Sequence, residues 1–295
     1  MFEIKALDGA FGAVISGLDL HQQLTAEEAG QLVDALYSKH VLVFHDQHLH
    51  PSEFARFGRF WGGPIPLFDP RQRDPEHPDL TTIYTAPETP ESMRDYAMHW
   101  HNDNTYDAVP ASSTLLYGVR SPRTGGETMF ADMASAYESL PATIKKRIAP
   151  LRSMHVVHSR KTLTPGEKKG KSVNNPYSDA AVPVSQPLVI EHPVTGRQCL
   201  YGISGSTIGI VGMPEDEGMA LLLELKRHAT QPCYIQKAKV ETGGILMWDN
   251  FSVMHSATVM DYTGNEDAGR SLFRCSVRGF PGRCNIQFKG WPEAA

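Results

Sequence analysis

The sequence predicts a mainly β fold with flanking helices, either an antiparallel barrel or a jelly roll. Many short β-rich runs are separated by turn residues, whereas helical patterns are confined to the N-terminal part and to insertions between strands. The 295 residues show no internal repeat, no low-complexity block and no break in composition. We therefore expect residues 1–295 to form a single domain.

The N-terminal elements carry clear local signals. Thr25 and Glu28 fit a capping box, and the apolar residues that follow at helical spacing predict a helix of about 13 residues. The apolar run VLVF at 41–44 is typical of a buried strand. Pro51 is a favourable first-turn residue for a second helix, which should end at the glycines 62–63.

Two polar segments with little hydrophobic periodicity, 66–97 and 159–186, predict lid-like loops. The first is rich in proline and is interrupted by the short strand TTIYTA. From residue 98 onward the pattern predicts short strands at AMHWH, STLLYGVR, GETMFADM, PLVIE, RQCLYGI, YIQKAKV, GGILMW, SVMHSA and RSLFRCSVRG. Helices are expected between them at ASAYESL, PATIKKRIAPL and MPEDEGMALLLELKRHATQ.

The composition argues against several classes of partner. A net charge of −5 and a pI near 6.2 give no reason to expect binding to nucleic acid or to a membrane surface. No apolar run reaches the roughly 18 residues of a membrane span, and the N-terminus lacks the pattern of a signal peptide. The four cysteines have no CxxC spacing, so we expect free thiols in a cytoplasmic protein, although Cys275 and Cys284 could in principle pair.

The stretch WHNDNTY at 100–106 places a histidine and an aspartate two residues apart. If it is a strand, His101 and Asp103 point to the same face and could share a metal ion. His255 follows the turn of GGILMWDNFSVMH, on a strand that returns beside the first. Two histidines and one carboxylate that leave three coordination positions open form the facial triad of non-haem Fe(II) oxygenases. The other histidines are expected to be structural or exposed, except that His155 or His158 could face the cavity.

A possible anion site follows downstream in RSLFR. Arg270 and Arg274 are four residues apart, so on a strand both side chains point to the same side. A guanidinium group offers a bidentate fork to a carboxylate, which is what the distal carboxylate of a 2-oxo diacid requires beside an iron site. Thr128, in GGETMFADM, could donate its hydroxyl to the same carboxylate.

At this point the chain resembles the TauD/TfdA family of Fe(II)- and 2-oxoglutarate-dependent dioxygenases, which act on taurine and phenoxyacetate herbicides. The resemblance covers nearly the whole chain. The segments that carry it are FGAVISGLDL, HVLVFHDQHLHPSEFARFGRFWG, WHNDNTY, GGETMFADM, HPVTGRQCLY and WDNFSVMHSA. It implies a double-stranded β-helix core (a jelly roll, cupin-like) and the use of Fe(II), 2-oxoglutarate and O₂.

The resemblance also implies roles for single residues. His101, Asp103 and His255 would bind the iron, and Thr128 and Arg270 would bind the far carboxylate of 2-oxoglutarate. Arg274 matches a position that meets the anionic head of the substrate in the taurine enzyme.

Two departures from the family pattern stand out. The spacing between His255 and Arg270 is about four residues longer than in the taurine enzyme; TGNEDAG supplies the extra residues, and we interpret it as a longer hairpin turn before the arginine strand. The segment RDYAMH before Trp100 lacks the asparagines found there in the taurine enzyme, which argues against taurine as the substrate.

The predicted reaction is hydroxylation of a C–H bond of a small anionic molecule (a carboxylate, sulfonate or sulfate), with succinate and CO₂ as coproducts. Heteroatom–carbon cleavage or desaturation could follow. The pocket-wall candidates are His99, Tyr84, Tyr106 and Phe68, and a basic loop could attract the anion: Arg160, Lys161, Lys168, Lys169 and Lys171. The family resemblance also implies a homo-oligomer, either a dimer or a tetramer.

Two other classes of function fit part of the pattern. A zinc hydrolase could use the same His/Asp/His set with an open position, but it would not need Arg270 and Thr128. A jelly-roll binding protein without catalysis would need no metal turnover at all. Halogenation is disfavoured, because halogenating relatives replace the carboxylate ligand and Asp103 is present here.

Overall fold

The computed structural model describes residues 2–67, 69–94, 97–157, 182–260 and 269–281. The helices in these ranges are α1 Ala26–Lys39, α2 Pro51–Trp61, α3 Glu91–Arg94, α4 Met133–Glu138, α5 Ala142–Ile148 and α6 Glu215–Ala229. The strands are β1 Glu3–Ala6, β2 Ala13–Ser16, β3 Val41–Phe44, β4 Gly63–Pro64, β5 Thr81–Thr85, β6 Ser113–Arg120, β7 Thr128–Asp132, β8 Arg152–His155, β9 Val184–Pro187, β10 Val189–Glu191, β11 Gln198–Leu200, β12 Thr207–Ile210, β13 Ile235–Ala238, β14 Ile245–Asp249, β15 Val253–Ala257 and β16 Arg270–Arg278.

The main sheet has the strand order β1-β2-β3-β14-β6-β16-β4, with β5 also paired to β16. Its pairs are antiparallel except β2 with β3. Helices α1 and α2 cover its outer face, where Leu32, Leu36, Phe54 and Phe57 join one apolar core. The capping box of α1 is present, with the Thr25 hydroxyl accepting from the backbone N–H of Glu28 and the Glu28 carboxylate accepting from that of Thr25.

A second layer faces the main sheet and consists of two three-stranded sheets. One has the order β13-β7-β15 and the other β12-β8-β9. The segment at Trp100 and His101 lies between them: His101 pairs with His255 of β15 through two backbone hydrogen bonds of 2.9 and 2.8 Å, and the backbone N–H of Gly205 donates to Trp100 at 3.0 Å. This segment therefore connects the two halves of the layer.

Alternate residues of the strands fill the space between the layers. The main sheet contributes Leu116, Leu246, Trp248 and Leu272 from what we call its inner face, and the second layer contributes Phe130 and Val253. Helices α4 and α6 pack on the outside of the second layer in a separate core. Two facing, mainly antiparallel layers with helices outside form a jelly roll, so the predicted fold class is confirmed.

Some local predictions need correction. The strand expected at AMHWH is wrong, because only His101 pairs with another strand there. The end of the predicted loop 159–186 lies within β9, and the segment 66–97 contains β5 and α3 as well as a short 3-10 helix at Pro70–Gln72. Phe68, His158, Cys284 and the five basic residues from Arg160 to Lys171 lie outside the described residues. None of the helices in the described part is both long enough and apolar enough to cross a lipid bilayer.

Candidate metal centre

Three side chains converge where the segment at His101 runs beside β15. Their possible ligand atoms, one each from His101, Asp103 and His255, all lie within 4.8 Å of one another. The Nε2 atom of His255 is 3.7 Å from Oδ2 of Asp103, and that of His101 is 4.0 Å from Oδ1. The side chain of His101 is 20% exposed against 6–7% for the other two, so the site opens on the His101 side.

Asp103 reaches the site from a turn and not from a strand. His101 is held by its pairing with His255, and the chain then turns at 103–106, with Asn104 in the left-handed region at φ 56°. The side-chain amide of Asn102 donates to the backbone carbonyls of Asn250 and Val253 at 2.9 and 2.8 Å. The expectation that two alternating strand positions bring His101 and Asp103 together is therefore wrong in its geometry, although the side chains do meet.

The orientation of the His101 ring is fixed by contacts with His99. Its Nδ1 atom is 2.7 Å from the backbone carbonyl of His99, an acceptor, so Nδ1 carries the proton and donates it. The lone pair then resides on Nε2, which faces Asp103. The ring stacks on that of His99 at a centroid distance of 4.5 Å. Gly205 leaves room for His99, because a Cβ atom there would lie only 2.4 Å from that ring.

Asp103 is a buried carboxylate with a donor on each oxygen. Arg274 Nη2 lies 2.6 Å from Oδ1, and the Thr114 hydroxyl donates to Oδ2 at 2.7 Å. Burial alone would raise the pKa of Asp103, but the Arg274 guanidinium and the Thr114 hydrogen bond outweigh it and hold the pKa well below its usual range. The carboxylate is therefore ionised and available as a ligand.

His255 is held neutral. Burial and the neighbouring His101 lower the pKa of His255 well below its usual value, although Asp103 opposes the shift. Its ring packs against Trp248 at a centroid distance of 4.6 Å and lies 6.2 Å from that of Phe130. Only a neutral imidazole has a lone pair for a metal, so the buried setting prepares His255 for coordination.

The turn between β14 and β15, which leads to His255, is stabilised by a buried hydrogen bond between His192 and Asp249. His192 Nε2 donates to Asp249 Oδ2 at 2.7 Å, and both side chains are fully buried. The proton position follows because His192 Nδ1 accepts from the backbone N–H groups of Val194 and Thr195, each at 3.1 Å. The segments HPVTGR and WDN, noted separately in the sequence, therefore contact each other.

A second set of polar contacts holds the turn that carries Asp103. Gln186 of β9 donates its side-chain amide to the carbonyls of Thr105 and Asp107 at 3.0 and 2.9 Å. The Thr105 hydroxyl lies 2.8 Å from that of Ser206, which in turn lies 2.8 Å from Nδ1 of His155. Burial lowers the pKa of His155 to about 3, so this histidine is neutral and serves the hydroxyl network, not the metal site.

These residues fit a divalent metal ion. Two neutral imidazoles and one ionised carboxylate are a donor set that Fe(II) accepts, and three protein ligands leave coordination positions for other molecules. Two of the outer contacts expected of such ligands are present, the backbone carbonyl on His101 and the donors on Asp103, whereas Nδ1 of His255 has no hydrogen-bond partner among the described residues. His101, Asp103 and His255 would hold the ion.

The residues predicted for the 2-oxoglutarate carboxylate lie in opposite layers, Thr128 on β7 and Arg270 on β16. Thr128 is buried, pairs with Ala257 and shares its face of β7 with Phe130. Arg270 lies on β16 opposite Thr85, on the face that also carries Leu272 and Arg274. The Thr85 hydroxyl contacts the sulfur of Met260 at 3.9 Å, three residues beyond Ala257, so the ends of the two layers meet there.

Of the predicted substrate residues, three lie near the metal position and Tyr84 lies on the outer side of β5. Arg274 forms an ion pair with the metal ligand Asp103. The ring of His99 stacks on that of the metal ligand His101. Tyr106 is half-buried in the same turn as Asp103. Tyr84, by contrast, is 52% exposed on the outer side of β5, where its hydroxyl donates to Glu88 at 3.2 Å. The structure therefore gives no support for Tyr84 as a pocket wall.

Sequence reasoning missed the residues that support the ligands. Asn250 accepts from the backbone N–H of Asp103 at 3.3 Å and from the Trp248 indole at 3.1 Å, and it donates to Thr114 at 3.0 Å. Asn250 belongs to the WDN motif. Its place in that motif, next to a predicted turn, was the one sequence signal that could have indicated a supporting role. Thr114 and Gln186 gave none, because each is one polar residue in an ordinary strand pattern.

A jelly roll with two histidines and one aspartate around a metal position defines a non-haem Fe(II) oxygenase. Over residues 3–276 the sequence matches the family described as Taurine catabolism dioxygenase TauD, TfdA family. The chain belongs to this family, as the resemblance predicted.

Relatives of known activity agree with this class. The chain is 32% identical to an alpha-ketoglutarate-dependent 2,4-dichlorophenoxyacetate dioxygenase of Burkholderia sp. (strain RASC), with 95% of each chain aligned. It is 30% identical to an alkylsulfatase of Acinetobacter baylyi, over 88% of this chain and 80% of the relative. A solved structure, AAD-2 in complex with Mn(II) and N-oxalylglycine, superposes with a TM-score of 0.77 at 29% identity, covering 94% of this chain and 98% of that one.

The protein is therefore an Fe(II)- and 2-oxoglutarate-dependent dioxygenase, with O₂ as its second cosubstrate (2-oxoglutarate is the alpha-ketoglutarate of the relatives' names). Its metal-binding site is the His/Asp/His cluster.

Proposed function

We propose that this dioxygenase hydroxylates a small anionic molecule at a carbon that bears an oxygen atom, and that the anion is a carboxylate or a sulfate. The observation that carries the proposal is Arg274, a cation on the inner face that reaches the metal position itself. The relatives support the same chemistry, since a phenoxyacetate and an alkyl sulfate are both anions with a carbon bonded to oxygen.

In the proposed arrangement His101, Asp103 and His255 hold the metal. With Fe(II), 2-oxoglutarate and O₂ bound, the centre supplies the oxidising power that converts a substrate C–H group into C–OH and yields succinate and CO₂. Arg270 and Thr128 bind the far carboxylate of 2-oxoglutarate through charge-assisted and hydroxyl hydrogen bonds. Arg274 attracts the anionic head of the substrate and so sets which carbon faces the metal.

Bond cleavage then needs no further catalyst. When the hydroxylated carbon also bears an ether or ester oxygen, the new hydroxyl loses its proton, its oxygen forms a carbonyl, and the C–O bond to the leaving group breaks. A phenoxyacetate would release a phenol and an alkyl sulfate would release sulfate. The buried surroundings of His255 and Asp103 exclude water from this reaction.

Succinate formation tests the proposal. Purified full-length protein is supplied with Fe(II), ascorbate, 2-oxoglutarate and O₂, and phenoxyacetate, hexyl sulfate and hexanesulfonate are compared with the neutral phenoxyethanol. We expect an anion to raise succinate formation well above the substrate-free rate, in proportion to O₂ consumed. Stimulation by phenoxyethanol alone would overturn the anionic assignment, and hydrolysis without O₂ consumption would favour a zinc hydrolase.

Several broader expectations stay predictions. These are a single domain over residues 1–295, a homo-oligomer, a cytoplasmic location, and pocket-wall roles for His99 and Tyr106. The three described cysteines are free, in agreement with the thiol state expected of a cytoplasmic protein: Cys199, Cys233 and Cys275.

A further inference from the structure

Arg274 directly contacts the metal ligand Asp103. Its Nη2 atom lies 2.6 Å from Oδ1 of Asp103, with the two side chains 22% and 6% exposed. On the other oxygen, the Thr114 hydroxyl donates at 2.7 Å. Both oxygens of the carboxylate are thus within hydrogen-bond distance of protein donors.

The main sheet dictates this contact. Arg274 lies opposite Leu116 in the register of β16 and β6, between the buried residues Leu272 and Ser276 of the same face. Thr114 and Ser276 are paired in that register, and their hydroxyls are 3.0 Å apart. The guanidinium therefore emerges from the strands that frame the site, and its position does not depend on a loop.

The charges at the site suggest what the contact does. The one negative charge of Asp103 is matched by the one positive charge of Arg274, 2.6 Å away. A buried carboxylate without a partner is costly, so Arg274 stabilises the ionised Asp103 in the metal-free protein. A divalent ion beside the same carboxylate leaves a net charge of about +2, and the two cations then repel each other at short range.

We propose that Arg274 competes with the metal ion for Asp103, and that the anionic head of the substrate relieves the competition by binding the other donors of the guanidinium. Metal binding and anion binding are then coupled through one side chain. The coupling is reciprocal, because a ligand that strengthens metal binding is itself bound more tightly when the metal is present. The proposal rests on the proposed function in one respect, the assignment of the substrate anion to Arg274.

The first test measures metal affinity without catalysis. Metal-free, full-length wild type and Arg274→Gln are titrated with Mn(II) in the absence of 2-oxoglutarate and O₂, and free Mn(II) is followed by electron paramagnetic resonance. We expect Arg274→Gln to bind Mn(II) about tenfold or more tightly than wild type, since a neighbouring positive charge is removed. An unchanged or weaker affinity would overturn the competition.

Two matched variants isolate the cause. Arg270→Gln removes the same charge from the same strand four residues away, and its Mn(II) affinity should stay within about twofold of the wild-type value, because screened charges at that distance interact weakly. Arg274→Lys keeps the charge and should keep the wild-type affinity. Equal tightening in Arg270→Gln would mean a general charge effect, which contradicts the proposal.

The main readout of the second test is made on wild type. Wild type is titrated with Mn(II) with and without saturating phenoxyacetate, and again with hexyl sulfate. We expect at least one anion to tighten Mn(II) binding several-fold in wild type and to leave Arg274→Gln unchanged. No tightening by either anion, or the same tightening in both proteins, would overturn the coupling. Neither outcome depends on succinate formation, so a failure here is distinct from a failure of the proposed function.

Discussion

At the scale of single residues, the surroundings of the three ligands determine their protonation states. Nδ1 of His101 is committed to the backbone carbonyl of His99, and His255 is neutral by burial. Asp103 remains ionised despite its burial, because Arg274 and Thr114 donate to it. His101 thus presents the lone pair of Nε2 toward the common position, and the ionised carboxylate of Asp103 lies beside it.

Sequence spacing predicted the ligands but not their supports. His101, Asp103 and His255 could be named because imidazole and carboxylate at recurring spacings indicate metal chemistry. Thr114 and Asn250 could not, because a hydroxyl or amide acquires its role only from a partner remote in the chain: Asn250 meets Asp103 across 147 residues. The expected position of Tyr84 failed for a similar reason, since the register of β5 on β16 decides which face each residue takes.

Arg270 gives a prediction at this scale. Because a guanidinium and a carboxylate form charge-assisted hydrogen bonds, Arg270→Gln should weaken 2-oxoglutarate binding by about 10- to 100-fold. Mn(II) affinity in the absence of 2-oxoglutarate should stay near the wild-type value. Isothermal titration of the Mn(II)-loaded, anaerobic protein with 2-oxoglutarate measures the change. An unchanged affinity would refute the assignment of Arg270.

At the scale of elements, two turns carry the ligands, and each is fastened by buried polar contacts. The β14–β15 turn, which leads to His255, depends on His192 and Asp249. The turn at 103–106 depends on Gln186 of β9 and on the hydroxyls of Thr105 and Ser206. Turns hold ligands precisely only when their backbone is fixed in this way, so these contacts are part of the metal site.

Removal of His192 should destabilise the fold. His192→Leu leaves the buried Asp249 carboxylate without the Nε2–H donor of His192, and we expect the free energy of unfolding to fall by about 3 kcal/mol. Urea denaturation followed by circular dichroism measures this change. His21→Leu is the control, because His21 pairs with Glu53 at the surface, and it should cause no measurable change. Equal stability of His192→Leu and wild type would contradict the role given to the pair.

The same pair predicts a dependence on pH. Burial would raise the pKa of Asp249, but His192 and Ser252 outweigh it and hold the pKa below its usual value. A carboxyl group whose folded pKa is depressed contributes stability above its unfolded pKa, near 4, and loses it as the pH falls through the folded value. The stability difference between wild type and His192→Leu should therefore shrink on acidification below pH of about 4. A difference that stays constant down to pH of about 2 would contradict this account.

Gln186 tests the second turn. In Gln186→Leu the carbonyls of Thr105 and Asp107 lose their donor, so Asp103 should be held less firmly. We expect Mn(II) affinity to fall by about tenfold, the lower range for loss of an outer contact of a metal ligand. Hydrogen exchange at residues 101–107 should rise in parallel. Gln31→Leu serves as control, since the side-chain amide of Gln31 donates to Glu27 on the exposed face of α1, remote from the turn. Tight Mn(II) binding with unchanged exchange would refute the role of Gln186.

At the scale of the whole molecule, the jelly roll brings together strands that are far apart in the sequence. The main sheet supplies Arg270, Arg274 and Thr114, and the second layer supplies His255 and Thr128. The segment with His101 closes the gap between the two small sheets of that second layer. The metal position therefore lies where both layers and the connecting segment meet, and it exists only in the complete fold.

The overall architecture was predictable because its signals are periodic and local. Short alternating runs gave the strands, and the Thr25 capping box and Pro51 gave the first two helices. The segment at 97–101 was misread as a strand because it is apolar and aromatic like one. Its backbone bonds go to different partners, with His101 paired to His255, Ala97 accepting from Ala257 of β15 and Trp100 accepting from Gly205, so no continuous strand forms. Pairing partners of this kind are decided by tertiary structure, which a single sequence does not display.

The central claim is that His101, Asp103 and His255 bind one ferrous ion, and that 2-oxoglutarate chelates the same ion. The most direct measurement is an anaerobic titration of metal-free protein with Fe(II) in the presence of 2-oxoglutarate, followed through the weak visible charge-transfer band of the chelate. We expect the band to grow to one Fe(II) per chain in wild type and to be absent in His255→Ala and Asp103→Ala. A full band in either variant, or none in folded wild type, would contradict the account.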